Sequence, residues 1–301
     1  MSVIVTPGSP AAALAAKAAT TTIPIVFGAG GDPVKQGLVA SLNRPSGNAT
    51  GVNFFSMELV AKRMQLLREL VPTAKRIAVL VNPTDPEGFQ IPLDIEAAAG
   101  GQRVLVLEAA TGRDIDTAFA SMSREKPDAL FVSPGTFFNT RRVQLAVLAA
   151  RHALPAIYSV RAYPEVGGLI SYGTDVLDAF RQVGTYAARI LNGAKPADLP
   201  VVQSTKFELV INLNTARALG LEIPPTLLAR AGCRAVRDST LVAWYRSIYA
   251  PRTGGAYDSH HRTAGIVGRA RRRGSSVAAC GARAAERAGA AHRRAHESRV
   301  R

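Results

Sequence analysis

Cysteine is almost missing from this chain. Its 301 residues hold two, Cys233 and Cys280, and none precedes residue 233. Residues 1–230 therefore cannot build a disulfide framework, a thiolate zinc site or a cysteine nucleophile. Histidine is nearly as scarce: four of the five fall after residue 230, leaving His152 alone in the body. In the stretch AARHALP it closes a predicted helix just before a strand, where a role at the helix C-terminus accounts for it better than catalysis does. The single tryptophan is Trp244. No apolar run reaches the roughly 18 residues of a membrane span. No basic segment leads into an apolar one at the start, so the chain carries no signal peptide as written and reads as cytoplasmic if translated that way.

Charge is unevenly spread. Lys+Arg number 37 against 22 Asp+Glu, a balance of +15. Residues 231–301 hold 15 arginines, no lysine and 4 acids, so most of the excess lies there and the body has the charge of an ordinary soluble domain.

The body alternates short β-rich runs with helical patterns, the signature of parallel βα units in an α/β fold. Strands are predicted over 3–6, 23–27, 49–54, 76–81, 103–108, 129–132, 155–159, 168–172 and 206–212. Helices are predicted over 11–20, 34–42, 57–71, 87–99, 114–124, 140–151, 175–192 and 214–219. RIAVLV (76–81) and ALFV (129–132) are nearly all apolar, as befits strands covered by helices on both faces. In 57–71, Leu59, Met64, Leu67 and Val71 recur at helical spacing and predict an amphipathic helix.

Four strands run into short polar loops: Ser9-Pro10, Asp32-Pro33, Asn82-Pro83 and Ser133-Pro134. In the first two, a capping residue precedes a proline at the first helical position, where a missing N–H costs nothing. All four loops lie at the carboxyl ends of parallel strands, the edge where open α/β sheets bind ligands. Helix N-termini there present free N–H groups to a carboxylate. Gly8, Ser9, Asp32, Asn82 and Ser133 are therefore candidate ligand-binding residues, Ser9 for a carboxylate and Asp32 for an ammonium; capping alone explains each equally. GAGGDP lacks the spacing of a dinucleotide fingerprint, and PGSP lacks that of a nucleophile elbow. No catalytic constellation, cofactor or metal is expected, which points to a binder and not an enzyme.

IPIVFGAGGDPVKQGLVASLNRPSGNATGVNFFS, RIAVLVNP, LAARHALPAIYS, GGLISYGTD and GAKPADLPVVQSTKFELVINLNTARALGLEIPPTLLARA follow one another in the chain. Together they resemble the tryptophan/tyrosine-type substrate-binding components of ABC transporters, over almost all of residues 1–230. The resemblance implies a two-lobed, type I periplasmic-binding-protein-like fold, with a Rossmann-like parallel sheet in each lobe and three crossovers. It places residues 1–73 and 174–200 in lobe 1 and residues 74–173 and 201–230 in lobe 2. It implies an extracytoplasmic or periplasmic protein, a small amino-acid-like ligand in the interlobe cleft and an ABC permease of the inner membrane as partner. An aromatic ligand would give Phe137, Phe138, Tyr158 and Tyr172 a stacking role; core packing is the alternative for each.

The chain departs from that family in three places. It begins with Met-Ser on the strand VIVT, before which the family has an export signal and two further βα units, so lobe 1 is expected to be incomplete, with weak ligand binding and an exposed strand edge. The helix ending AAAGGQRV is a few residues short. Residues 231–301 continue past the family's usual end in Arg, Ala and Gly, the residues of G/C-rich codons, and are expected to be a frameshifted, disordered tail. Its rival is a nucleic-acid-binding arm centred on ARRRG (270–274), which has the charge for phosphate but no recognisable motif. The effector-binding domain of a transcription regulator shares the two-lobed fold but needs a helix-turn-helix, which the chain does not show.

Overall fold

A computed structural model describes residues 2–85 and 90–231. The expectations for the basic tail, with Cys233, Trp244 and Cys280, lie outside the described residues. Within them the chain is α/β throughout and forms two sheets.

The first sheet opens with β1 (Ile4–Thr6), α1 (Pro10–Ala19), β2 (Ile25–Ala29) and β3 (Ala49–Asn53). Ser9 caps α1, its hydroxyl accepting from the Ala12 N–H at 3.3 Å with Pro10 at the first helical position. No helix forms over 34–42. Asp32 and Pro33 start one turn, with the Gln36 N–H donating to the Asp32 carbonyl at 3.0 Å. Gly37 then adopts φ +72° and ends it. Leu38 and Val39 drop into the core instead, against β2.

The second sheet begins with α2 (Val60–Leu70), β4 (Arg76–Val81), α3 (Gln90–Ala98), β5 (Arg103–Glu108), α4 (Gly112–Glu125) and β6 (Ala129–Val132). It continues through α5 (Thr136–Thr140), α6 (Arg142–Arg151), β7 (Ala156–Tyr158), α7 (Ala162–Glu165) and β8 (Ile170–Thr174). The chain then returns to the first sheet with α8 (Val176–Leu191) and β9 (Val202–Gln203), and finally to the second with β10 (Phe207–Ile211), α9 (Leu213–Ala218) and α10 (Pro225–Ala231).

Strand order is β1-β2-β3-β9 in the first sheet, all parallel, and β10-β8-β7-β6-β4-β5 in the second, where only β10 runs antiparallel. The all-apolar strands behave as their period of two requires. Ile77, Val79 and Val81 of β4 join one core cluster and Ala78 and Leu80 the other. Ala129 and Phe131 of β6 divide from Leu130 and Val132 in the same way.

Helix packing moves two lobe boundaries. α2 buries Val60, Met64, Leu66, Leu67 and Leu70 in the core of the second sheet, beside α3, β6 and β7, so the first crossover falls between β3 and α2 and not after residue 73. β9 pairs with β3, so the last crossover falls after Gln203 and not at residue 201. α8 covers the first sheet, packing Ala179, Val183, Tyr186 and Ile190 on Val26 and Val52.

The three crossovers are tied to one another. The Thr174 hydroxyl donates to the Phe54 carbonyl, the Ser204 N–H to Asn53 O at 3.0 Å, and the Asp175 N–H to Lys206 O at 2.9 Å. Arg63 of α2, fully buried, donates from Nε to Tyr172 O at 2.6 Å and from Nη1 to Ser56 O at 2.7 Å. Burial pulls its pKa down to about 9, with Tyr172 and Glu58 opposing the shift, so it stays charged at neutral pH. Phe55 takes φ +53°, a conformation side chains rarely adopt, on the first crossover. Its ring meets Phe207 edge-on at 6.4 Å, and Phe207 also lies 6.4 Å from Tyr172.

Candidate functional site

A cavity of about 520 Å³ opens between the facing carboxyl edges of the two sheets. Its walls come from the ends of parallel strands: Pro7, Gly8 and Pro10 after β1, Gly30 and Gly31 after β2, and Phe54 and Ser56 after β3. Across from them stand Asp85 after β4, Pro134 to Thr136 after β6, and Ser159 to Ala162 after β7. Thr174, Leu177 and Phe180 enter where the chain crosses back into α8. This is the edge at which open α/β sheets place their ligands, and the volume lies in the range of small-molecule sites.

The two sides differ in chemistry. From the first come apolar groups: the Phe54 and Phe180 rings, 5.9 Å apart and tilted, with Leu177 beside them. Phe180 is 42 % exposed and Leu177 58 %, although both lie at the cavity. Outward apolar side chains gathered at one concave site mark a contact surface for a ligand.

From the second side come the charges, Arg142, Arg161, Asp85 and Glu165. Arg161 is held by Glu165 at 2.7 Å and by buried Glu208 at 3.2 Å. The Glu165 hydrogen bond is the main reason its pKa rises, with the Glu208 and Asp175 charges adding to it. Arg142 differs: it donates to the Asn139 carbonyl at 3.1 Å, and among the described residues no carboxylate forms an ion pair with it.

One hydrogen bond spans the cleft. The Thr136 hydroxyl donates to the Gly8 carbonyl at 2.8 Å, bringing the loop before α1 against the start of α5. Arg142 begins α6 six residues further on, and both it and the residues flanking Ser9 at the α1 N-terminus line the cavity.

The residues expected from sequence are dispersed. Gly8 lines the cavity, and Ser9 sits between two lining residues with its hydroxyl capping α1. The Asp32 carboxylate accepts from the Val34 and Lys35 N–H groups at 2.8 and 3.3 Å, away from the cavity wall. Asn82 is buried, its Oδ1 accepting from the Thr84 N–H and hydroxyl, and Ser133 is buried behind the wall. Phe137 packs on Phe138 at 5.1 Å beside the second core. Tyr158 is fully buried and stacked on Tyr163 at 4.2 Å, and burial holds its phenol well above the usual range. Tyr172 is half-buried at the crossovers, contributing its carbonyl to Arg63.

Sequence reasoning missed Phe54, Phe180, Arg142, Arg161 and Glu165. Only Phe54 left a trace, as the last residue of a predicted strand (49–54) whose carboxyl end faces the cleft. Among the described residues no cluster of three or more His, Asp or Glu could hold a metal ion, and no helix is long and apolar enough to cross a membrane.

Known proteins share this arrangement. Residues 1–234 match the family model of ABC transporter substrate binding proteins. A tyrosine-binding protein of Clostridioides difficile (strain R20291) is 30 % identical over 213 residues, which are 70 % of this chain and 61 % of that protein. The chain thus spans under two thirds of the length of that curated relative. Among solved structures, an ABC domain from Streptococcus pneumonia in complex with L-Trp is 28 % identical with a TM-score of 0.69, covering 76 % of this chain and 79 % of its own. A conserved domain protein from Vibrio cholerae is 31 % identical with a TM-score of 0.69, over 76 % and 77 % of the two chains. The ligand-free, open form of a substrate binding protein with adhesive properties from Clostridium difficile is 27 % identical with a TM-score of 0.53, over 74 % and 75 %.

Proposed function

We propose, from the premise that this chain belongs to the ABC transporter substrate binding protein family, that it binds an aromatic amino acid in the cleft between its two sheets and serves as the solute-capturing component of an importer. Its relatives are substrate-binding proteins and not enzymes. The observation that carries the ligand reading is the division of the cavity into an apolar wall and a charged one. A zwitterion with a flat apolar side chain fits such a division. Its ring lies against Phe54, Leu177 and Phe180. Its carboxylate lies between Arg142 and the α1 N-terminus at Gly8, Ser9 and Pro10. Its ammonium lies toward Asp85 and Glu165. That the named relatives include one called tyrosine-binding and one solved with L-Trp supports an aromatic side chain.

On this reading the protein works outside the cytoplasm, and closure of the lobes about the three crossovers presents the loaded form to a membrane permease. The test is calorimetric titration of the full chain with tryptophan, tyrosine, phenylalanine, leucine, alanine and a neutral sugar. Saturable binding of an aromatic amino acid is expected. A sugar that binds while no amino acid does would overturn it.

A further inference from the structure

The apolar end of the cavity is shaped by a residue that presents no side chain to it. Phe54 is pinned through its main chain on both sides: its N–H donates to Ala29 O at 2.7 Å, and its carbonyl accepts from the Thr174 hydroxyl. Only its ring is free to respond to a neighbour. That ring lies directly over Gly28 of β2. A Cβ added at Gly28 would stand 2.4 Å from the Phe54 Cζ and 3.1 Å from its Cε2. The same Cβ would stand 3.1 Å from the Gly8 nitrogen, so the backbone leaves it no other direction. The Gly8 N–H is itself bonded to Gly28 O at 3.0 Å, which fixes the floor on which the ring rests. Phe54 is 8 % exposed and packed on the α8 core, and its ring borders the cavity.

We infer that Gly28 sets the size of ring the cleft accepts: its missing Cβ lets Phe54 lie back against β2 and holds the apolar end open. This rests on the reading of the cleft as an aromatic amino-acid site and names the residue that grades ligands within that class. The tightest contact is with the far end of a flexible side chain, so Gly28→Ala displaces the ring, while the Gly8 nitrogen has to give by only a few tenths of an ångström. A displaced ring removes room from the largest ligand first.

The experiment is calorimetry on the full-length protein, Gly28→Ala, and Gly28→Ala with Phe54→Leu, titrated with tryptophan, tyrosine, phenylalanine and leucine, with thermal melts to establish folding. Gly28→Ala is expected to lower the affinity for tryptophan relative to leucine by roughly 10- to 200-fold, the range set by small changes of fit in an apolar pocket. The double variant is expected to regain most of the lost discrimination. If the single variant does not fold, Phe54→Leu alone must shift selectivity toward the larger ligand. A folded Gly28→Ala protein that weakens every ligand by one common factor, or a double variant that recovers nothing, overturns the inference while the aromatic site stands. A wild-type protein that binds none of the four overturns both.

Discussion

Replacing Arg63 by methionine tests whether the crossovers share a buried pin. The guanidinium is fully buried and reaches Ser56 O on the first crossover and Tyr172 O in the middle of β8, two residues before that strand ends at the second. Methionine matches its length but leaves both carbonyls without these donors. Hydrogen bonds from a charged group contribute about 1.5–3 kcal/mol each. Against this, the variant no longer buries a cation, and the Nη2 nitrogen, which finds no hydrogen-bond partner among the described residues, disappears with it. The net loss should be about 2–4 kcal/mol, a large share of a domain's usual 5–15. Arg63→Lys keeps the charge but not the fork, and one ammonium cannot replace two divergent donors, so it should recover less than half. Urea unfolding at neutral pH measures both variants, with an unchanged slope identifying a pure stability effect. A methionine variant within about 0.5 kcal/mol of the parent would refute the idea that this cation holds the crossovers together.

Arg142→Gln should weaken the aromatic ligand by about tenfold to a hundredfold, the loss of one charge-assisted bond, and flatten the salt dependence of binding seen by calorimetry. Ser9→Ala should lower stability by roughly 0.5–2 kcal/mol through its lost cap and weaken the ligand further; unchanged affinity would leave Ser9 a cap alone. Asp128 accepts from the Arg76 and Lys75 N–H groups at 2.9 and 2.8 Å, which hold its carboxyl below the usual range. Its folded pKa is depressed, so its contribution is complete above the unfolded value and fades as pH falls through the folded one. Asp128→Asn should therefore be less stable than the parent at neutral pH, with the gap closing in acid; a gap independent of pH would refute that assignment.

The two neighbouring interior strands β4 and β6 were legible because their chemistry is local: every residue of RIAVLV and ALFV reports its own burial, and both lie where helices cover both faces. The stripe in 57–71 was legible as a helix for the same reason. Its allegiance was not, since nothing in Met64 or Leu67 tells which of two sheets will take them. The helix expected over 34–42 failed at one backbone angle, Gly37, where apolar spacing continues but the chain cannot. The ligand-binding expectations leaned on capping chemistry, which places Asn82 and Ser133 behind the wall as readily as on it. Thr136 meets Gly8 across 128 positions of sequence, and Arg142 reaches the cleft from the first turn of α6 with no motif around it. Such residues are brought to the site by topology, which no local pattern records.

The return of the chain to the first sheet has a consequence in time. β2 and β3 are complete by Asn53, but the helix that covers Val26 and Val52 does not begin until Val176. Everything between belongs mostly to the other sheet, which in turn waits for β10 and α10 to complete its own core. At a synthesis rate of roughly 5–20 residues per second, one apolar face of the first sheet waits on the order of ten seconds for its cover. During that interval it is a surface for chaperones or for other nascent chains. Slowing elongation between codons 53 and 176 should lower the yield of folded protein, and an unchanged yield would refute this.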